Sequence, residues 1–173
     1  MFVNLTDVLS SEDEKLSLQV ETDMTEVSIG GEIFQITGKS PIQLDVTNIG
    51  KNKAMIKGRA EFTFSMSCDR CLEPVEETMT LNVCRNVCSP DEPDALTDDT
   101  QSFMDGYQLN VEDLLNNEIL INWPMKILCR PDCKGICPQC GKNLNTGDCG
   151  CDTFVPDPRM AAIKDIFDAN KEV

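Results

Sequence analysis

The sequence predicts a mostly β, α+β fold: a small antiparallel barrel-like or sandwich core, two flanking helices and a cysteine-knuckle module. Three observations lead there. Short, partly alternating apolar segments fill residues 1–88, an acidic stretch follows them, and six of the chain's ten cysteines crowd into residues 129–151. The 173 residues suit one domain with a small appended module. The expected division is a β core over 1–88, an acidic loop over 89–106, and a segment over 107–173 that holds a helix, the cysteine-rich module and a C-terminal helix packed on the core.

The strands are read from period-2 alternation between turn formers. KLSLQV at 15–20, EIFQIT at 32–37 and IQLDVT at 42–47 are short, and Gly30-Gly31 and Gly38 through Pro41 punctuate them. The segment 53–68 is longer, with Ala54, Ile56, Phe62 and Phe64 on one face and Met55, Lys57, Arg59 and Glu61 on the other. Gly58 interrupts it and suggests a bulge. EETMTLNVC at 76–84 reads as its partner strand, with 69–75 as the connection. Residues 89–106, rich in Pro, Asp and Thr, read as a solvated loop. Asn110 is a good N-cap for a helix whose stripe is Val111, Leu114, Leu115 and Ile119 and which Pro124 stops. Asp157-Pro158 signals the C-terminal helix, with Ile163, Ile166 and Phe167 on its apolar face.

Composition narrows the function. The formal net charge is −15, which argues against a generic nucleic-acid binder. The charge is uneven: no Lys or Arg lies between Arg85 and Lys126, where nine acids run from Asp91 to Glu118. Lys51, Lys53, Lys57 and Arg59 form one basic cluster, and Lys126, Arg130, Lys134 and Lys142 another. No histidine is present, which removes the usual general base, the Ser-His and Cys-His nucleophile pairs and any mixed Cys/His finger. No apolar run approaches a membrane span, and the first residues carry no basic leader, so the chain is expected in the cytoplasm without a membrane partner or a small-molecule substrate.

In a reducing compartment this cysteine density points to metal or redox chemistry rather than disulfides. CPQCG at 137–141 is the strongest unit: two thiols across a tight turn grip one ion, and the following glycine lets backbone N–H groups approach the sulfurs. A tetrahedral zinc needs a second pair. The CGC holding Cys149 and Cys151 and the CRPDC holding Cys129 and Cys133 are rivals for that place. The upstream CDRC, with Cys68 and Cys71, completes a second four-cysteine set if it joins Cys129 and Cys133, so one or two zinc ions are expected. A dithiol redox site at CDRC and an iron–sulfur cluster are the competing chemistries. The redox reading is disfavoured because Pro74 and flanking strands imply a turn rather than a helix start. Cys84 and Cys88 read as small core residues or idle thiols.

CDRCLEPV at 68–75, INWPMKILC at 121–129 after an acidic helix, CKGICPQCGKNLN at 133–145 with CGC at 149–151, and DPRMAAIKDIF at 157–167 together resemble the YceD family of large ribosomal RNA subunit accumulation proteins, in its cysteine-rich clostridial-type branch. The resemblance covers about residues 50–170 in order. It implies a cytosolic, non-enzymatic accessory factor for accumulation of large-subunit ribosomal RNA, with Cys68, Arg70, Cys71 and the cluster cysteines on the matching motifs. Partner contact is expected through Arg70, Lys126, Arg130, Lys134 and Lys142, to ribosomal RNA or a large-subunit ribosomal protein. Two other functions compete: a zinc-stabilised protein-binding adaptor without a ribosomal role, and a thiol redox protein.

Overall fold

The computed structural model describes residues 1–91 and 102–151. The chain divides into two compact units that do not follow chain order. One is Met1–Ser67 with Pro74–Ile127; the other is Cys68–Glu73 with Leu128–Val173. The expected C-terminal helix over 157–167 falls outside the described residues.

The first unit is built on four long antiparallel runs. β6 (Lys53–Ser67) is the spine, and β7 (Pro74–Cys88) pairs with it along its full length, from Lys53↔Cys88 to Ser67↔Pro74. The opposite edge of β6 is shared by two strands in succession. β5 (Ile42–Gly50) pairs with residues 53–59 and β4 (Glu32–Lys39) with residues 62–65. β4 and β5 therefore form one interrupted run. At the break Ser40 N donates to Glu61 O at 2.8 Å and Glu61 N donates to Ser40 Oγ at 2.8 Å, so pairing continues past Pro41, which has no N–H to give. The outermost run is interrupted in the same way: β2 (Lys15–Val20) pairs with β5 and β3 (Glu26–Ile29) with β4. The sheet is antiparallel and open rather than a closed barrel.

Side-chain alternation sets which face is core. Along β6, Ala54, Ile56, Ala60, Phe62, Phe64 and Met66 are buried, while Lys53, Lys57, Arg59, Glu61 and Ser65 are exposed. Gly58 is not a bulge: it pairs in register with Leu44 and Val83. It is a close approach, because a Cβ there would lie 2.8 Å from Leu44 Cδ2 and 3.0 Å from Gln43 O. The register shifts fall elsewhere, between Ile36 and Gly38 and between Asn48 and Gly50.

A three-stranded sheet joins the chain's start to its later part: β1 (Phe2–Asn4), β8 (Met104–Asp105) and β9 (Gln108–Asn110), in the order β1-β9-β8. β8 lies inside the stretch expected to be a solvated loop, and Phe103 beside it is buried at 1% exposure. The single apolar anchor outweighs the acidic composition there. Two helices occur among the described residues. α1 (Thr6–Ser10) is too short for periodicity to reveal, and buries Val8 and Leu9. α2 (Val111–Asn122) is the expected one: Asn110 Oδ1 accepts from Glu112 N at 3.2 Å, and Val111, Leu114, Leu115 and Ile119 are buried. Its buried Glu118 is paired with Arg85 Nε at 2.5 Å, which offsets the cost of enclosing the carboxylate. Trp123, just past the helix, packs on Phe34 and Phe64, with ring centroids 4.7 and 5.2 Å away.

The crowding at Gly58 has a measurable cost. Gly58→Ala should lower stability by about 1–3 kcal/mol in urea unfolding, because Leu44 and the Gln43 carbonyl must both shift. A change indistinguishable from zero would show that the strands part freely there.

Candidate metal centres

Eight cysteines of the second unit converge into two quartets. Cys68, Cys71, Cys129 and Cys133 form the first; Cys137, Cys140, Cys149 and Cys151 form the second. Within each, all four sulfurs lie within 4.8 Å of one another. Of the two rivals for the CPQC pair, the CGC sulfurs lie beside Cys137 and Cys140, and the CRPDC sulfurs lie beside Cys68 and Cys71. Cys84 is exposed on β7 opposite Lys57, Cys88 is buried at the end of β7, and neither belongs to a quartet.

The turns that aim the sulfurs follow from local sequence. In the second knuckle Cys137 N donates to Lys142 O and Gly141 N to Cys137 O, both at 2.9 Å, with Gly141 at φ 71°. The first knuckle repeats this bonding. Cys68 N donates to Glu73 O and Leu72 N to Cys68 O, both at 2.9 Å, and Leu72 takes φ 62°. Gly150, at φ 73°, turns the chain between Cys149 and Cys151 so that both sulfurs face one way. The knuckles are tied together through backbone. Ile136 N donates to Arg70 O at 3.0 Å, and Gly135 is buried against that carbonyl, where a Cβ would sit 3.0 Å from it.

The sulfur spacing fits a single ion. Zinc–thiolate bonds of about 2.3 Å arranged tetrahedrally put sulfurs about 3.8 Å apart. Cys68 Sγ and Cys133 Sγ are 3.8 Å apart, and Cys71 Sγ and Cys129 Sγ are 3.5 Å apart. An iron–sulfur cluster spreads its thiolates over several irons, which a quartet this tight does not suit. Proton affinity within the quartets is split. Burial opposes the Cys68 thiolate, but hydrogen bonds from the Cys129, Arg70 and Cys71 backbone outweigh it and bring the thiol down to about 6. Burial of its sulfur among the others pushes Cys129 up to about 12. Backbone bonds from Cys140 and Gln139 lower Cys137 to about 6, and contact with Cys140 and Cys149 raises Cys151 to about 12. In the first quartet the Asn145 amide also lowers Cys133, while Cys71 is raised, so each quartet mixes thiols that favour the thiolate with thiols that resist it.

The cations singled out from sequence are placed unevenly. Arg70 Nη1 donates to Cys133 O at 2.7 Å, Arg130 Nη2 to Asn145 Oδ1 at 2.8 Å, and Lys142 Nζ to Asp148 O at 3.0 Å. Lys126, in the first unit, and Lys134, in the second, are exposed. Two asparagines escape a sequence reading. Asn145 Nδ2 donates to Cys133 Sγ at 3.3 Å, while its Oδ1 accepts from Lys134 N at 2.8 Å. Asn143 Nδ2 donates to Glu73 Oε1 at 3.1 Å, and its Oδ1 takes the Asn145 N–H at 2.9 Å. The KNLNTG stretch signals side-chain-capped turns, but not that one amide reaches back twelve residues to a sulfur.

The family model described as large ribosomal RNA subunit accumulation protein YceD matches residues 56–167. The chain belongs to this family. The YceD match takes in every cysteine of both quartets. An uncharacterized protein of Mycobacterium bovis and one from each of two Mycobacterium tuberculosis strains are 26% identical to it over 120 residues, covering 67% of this chain. The aligned part is 58% of the length of these curated relatives. No solved structure matches. Among the described residues no helix is long and apolar enough to cross a membrane.

Two outcomes are expected of this geometry. Elemental analysis of protein purified without chelator should give two divalent ions per chain, and Cys140→Ser should remove one, with loss of amide protection near residues 137–151 and none in β6 or β7. Asn145→Ala should weaken the first-quartet ion about 10–100-fold in chelator competition, since it deletes the amide that orients Cys133. Unchanged affinity would make Asn145 a turn residue only.

Proposed function

We propose that this protein is a zinc-stabilised, non-catalytic accessory factor in the accumulation of large-subunit ribosomal RNA, acting in the cytoplasm by contact with that RNA or with a large-subunit ribosomal protein. Membership of a family named for that accumulation carries the ribosomal part of the reading. The two quartets carry the structural part: each offers four cysteine sulfurs within 4.8 Å of one another, a full set of ligands that matches a structural zinc rather than a catalytic one, which keeps a position open. The redox alternative is weakened by the same geometry. Cys68 and Cys71 occupy a knuckle turn and share their surroundings with two more thiols, whereas a redox dithiol opens a helix and stands alone. Without histidine in the chain, acid–base catalysis would need other groups, and the buried carboxylate of Glu118 is already paired with Arg85.

Depletion of the protein in its native bacterium should lower large-subunit RNA relative to small-subunit RNA. A plasmid copy should restore the ratio, and a copy with Cys71→Ser and Cys140→Ser should not. An unchanged ratio after full depletion would leave the zinc-stabilised adaptor without a ribosomal role as the better reading.

A further inference from the structure

The two knuckles are one turn built twice, and they differ at a single conformational requirement. The residue after the second cysteine of each pair must take the left-handed backbone region: Gly141 at φ 71° in one, Leu72 at φ 62° in the other. Glycine meets that requirement without strain, whereas a leucine brings Cβ against its own carbonyl and has no polar side chain to recover a local hydrogen bond. Nor does the side chain gain burial in return, for Leu72 is 65% exposed. Leu72 thus holds a backbone region that leucine rarely adopts while its side chain stays exposed, in a module whose other knuckle shows the unstrained solution. The knuckle turn needs the left-handed backbone but not a leucine, and a leucine kept there without burial points to a use for its side chain outside the fold. Ile136, whose N–H bonds to Arg70 O of the same turn, is 38% exposed and adds apolar surface.

The charge around this tip says what can meet it. Among residues 68–73 and 128–151, Asp69, Glu73, Asp132 and Asp148 balance Arg70, Arg130, Lys134 and Lys142. Arg70, Arg130 and Lys142 are spent on Cys133 O, Asn145 Oδ1 and Asp148 O. The chain as a whole carries a formal net charge of −15, so the long-range field in which this tip sits is negative. An apolar tip in a negative field repels phosphate and suits a cationic partner with an apolar pocket.

Building on the ribosomal reading above, we infer that Leu72 is the anchor of a protein-docking surface on the first knuckle, and that its partner is a basic large-subunit ribosomal protein rather than RNA. The test uses the metal-loaded full chain against two probes: RNA-free large-subunit proteins, separated into individual species, and protein-free large-subunit RNA. Wild type should bind one basic protein. Leu72→Gly and Leu72→Asn, both compatible with the left-handed position, should keep both ions and a thermal midpoint at or above that of wild type, yet lose about tenfold or more in affinity for that protein. Equal binding by the variants and wild type would overturn the docking inference while leaving the ribosomal reading intact, as would a loss confined to the RNA probe. Wild type that binds neither probe would overturn both.

Discussion

Four sulfurs held within 4.8 Å of one another cannot all be thiolates unless a positive charge lies among them. That constraint organises the second unit. Residues 129–151 supply few apolar side chains, and of those described the buried ones are chiefly the cysteines themselves, Cys133 and Cys137. A hydrophobic core cannot hold such a segment, so an ion bound by each quartet would take the core's place, and the knuckle turns, Gly135 and the two asparagines bring the sulfurs together where it would sit. The first unit obeys the opposite logic. Its strands close over Phe62, Phe64, Leu81, Leu114 and their neighbours, and apolar burial carries its stability.

The same constraint redirects the charged residues. Lysines and arginines near the cysteines look from sequence like a partner-binding set. Three of them also make hydrogen bonds inside the module, where Arg70 and Arg130 fasten the turn carrying Cys133 and Lys142 fastens the segment leading to Cys149. Cations that serve as internal donors to carbonyl and amide oxygens have less to offer a phosphate backbone. With a net charge of −15 across the chain, the long-range field opposes the approach of phosphate.

What could be read from sequence was whatever is local. The β6 alternation, the Asn110 cap and the C-x-x-C pairs each declare themselves within a few residues. What escaped was set by partners distant in sequence. Two short segments, 32–37 and 42–47, looked like separate strands because Gly38 through Pro41 punctuate them, yet both lie on one edge of β6, and only pairing reveals that. Gly58 read as a bulge because a glycine in a strand has two meanings, and the nearness of Leu44 decides between them. Phe103 turned part of an acidic loop into a strand. Leu72 was invisible because a leucine after a cysteine pair carries no sign of a left-handed backbone.

The two centres also differ in how far apart along the chain their ligands lie, and this orders their assembly. The second quartet closes within residues 137–151, whereas the first joins Cys71 to Cys129 and Cys68 to Cys133, separations of 58 and 65 residues. Loop closure grows with the logarithm of length, so the first centre carries on the order of 1–2 kcal/mol more entropic cost before any sulfur meets its ion. The second knuckle lowers that barrier once formed. Its isolated bridge between Ile136 and Asn143, closed by Leu144 N donating to Gly135 O, places Asn145 where it can hold Lys134 N and Arg130 together and offer its amide to Cys133. Half of the distant site is therefore preorganised by the local one. The knuckle read most easily from sequence is the one that can form alone, and the strained knuckle bearing Leu72 is completed on the frame it provides.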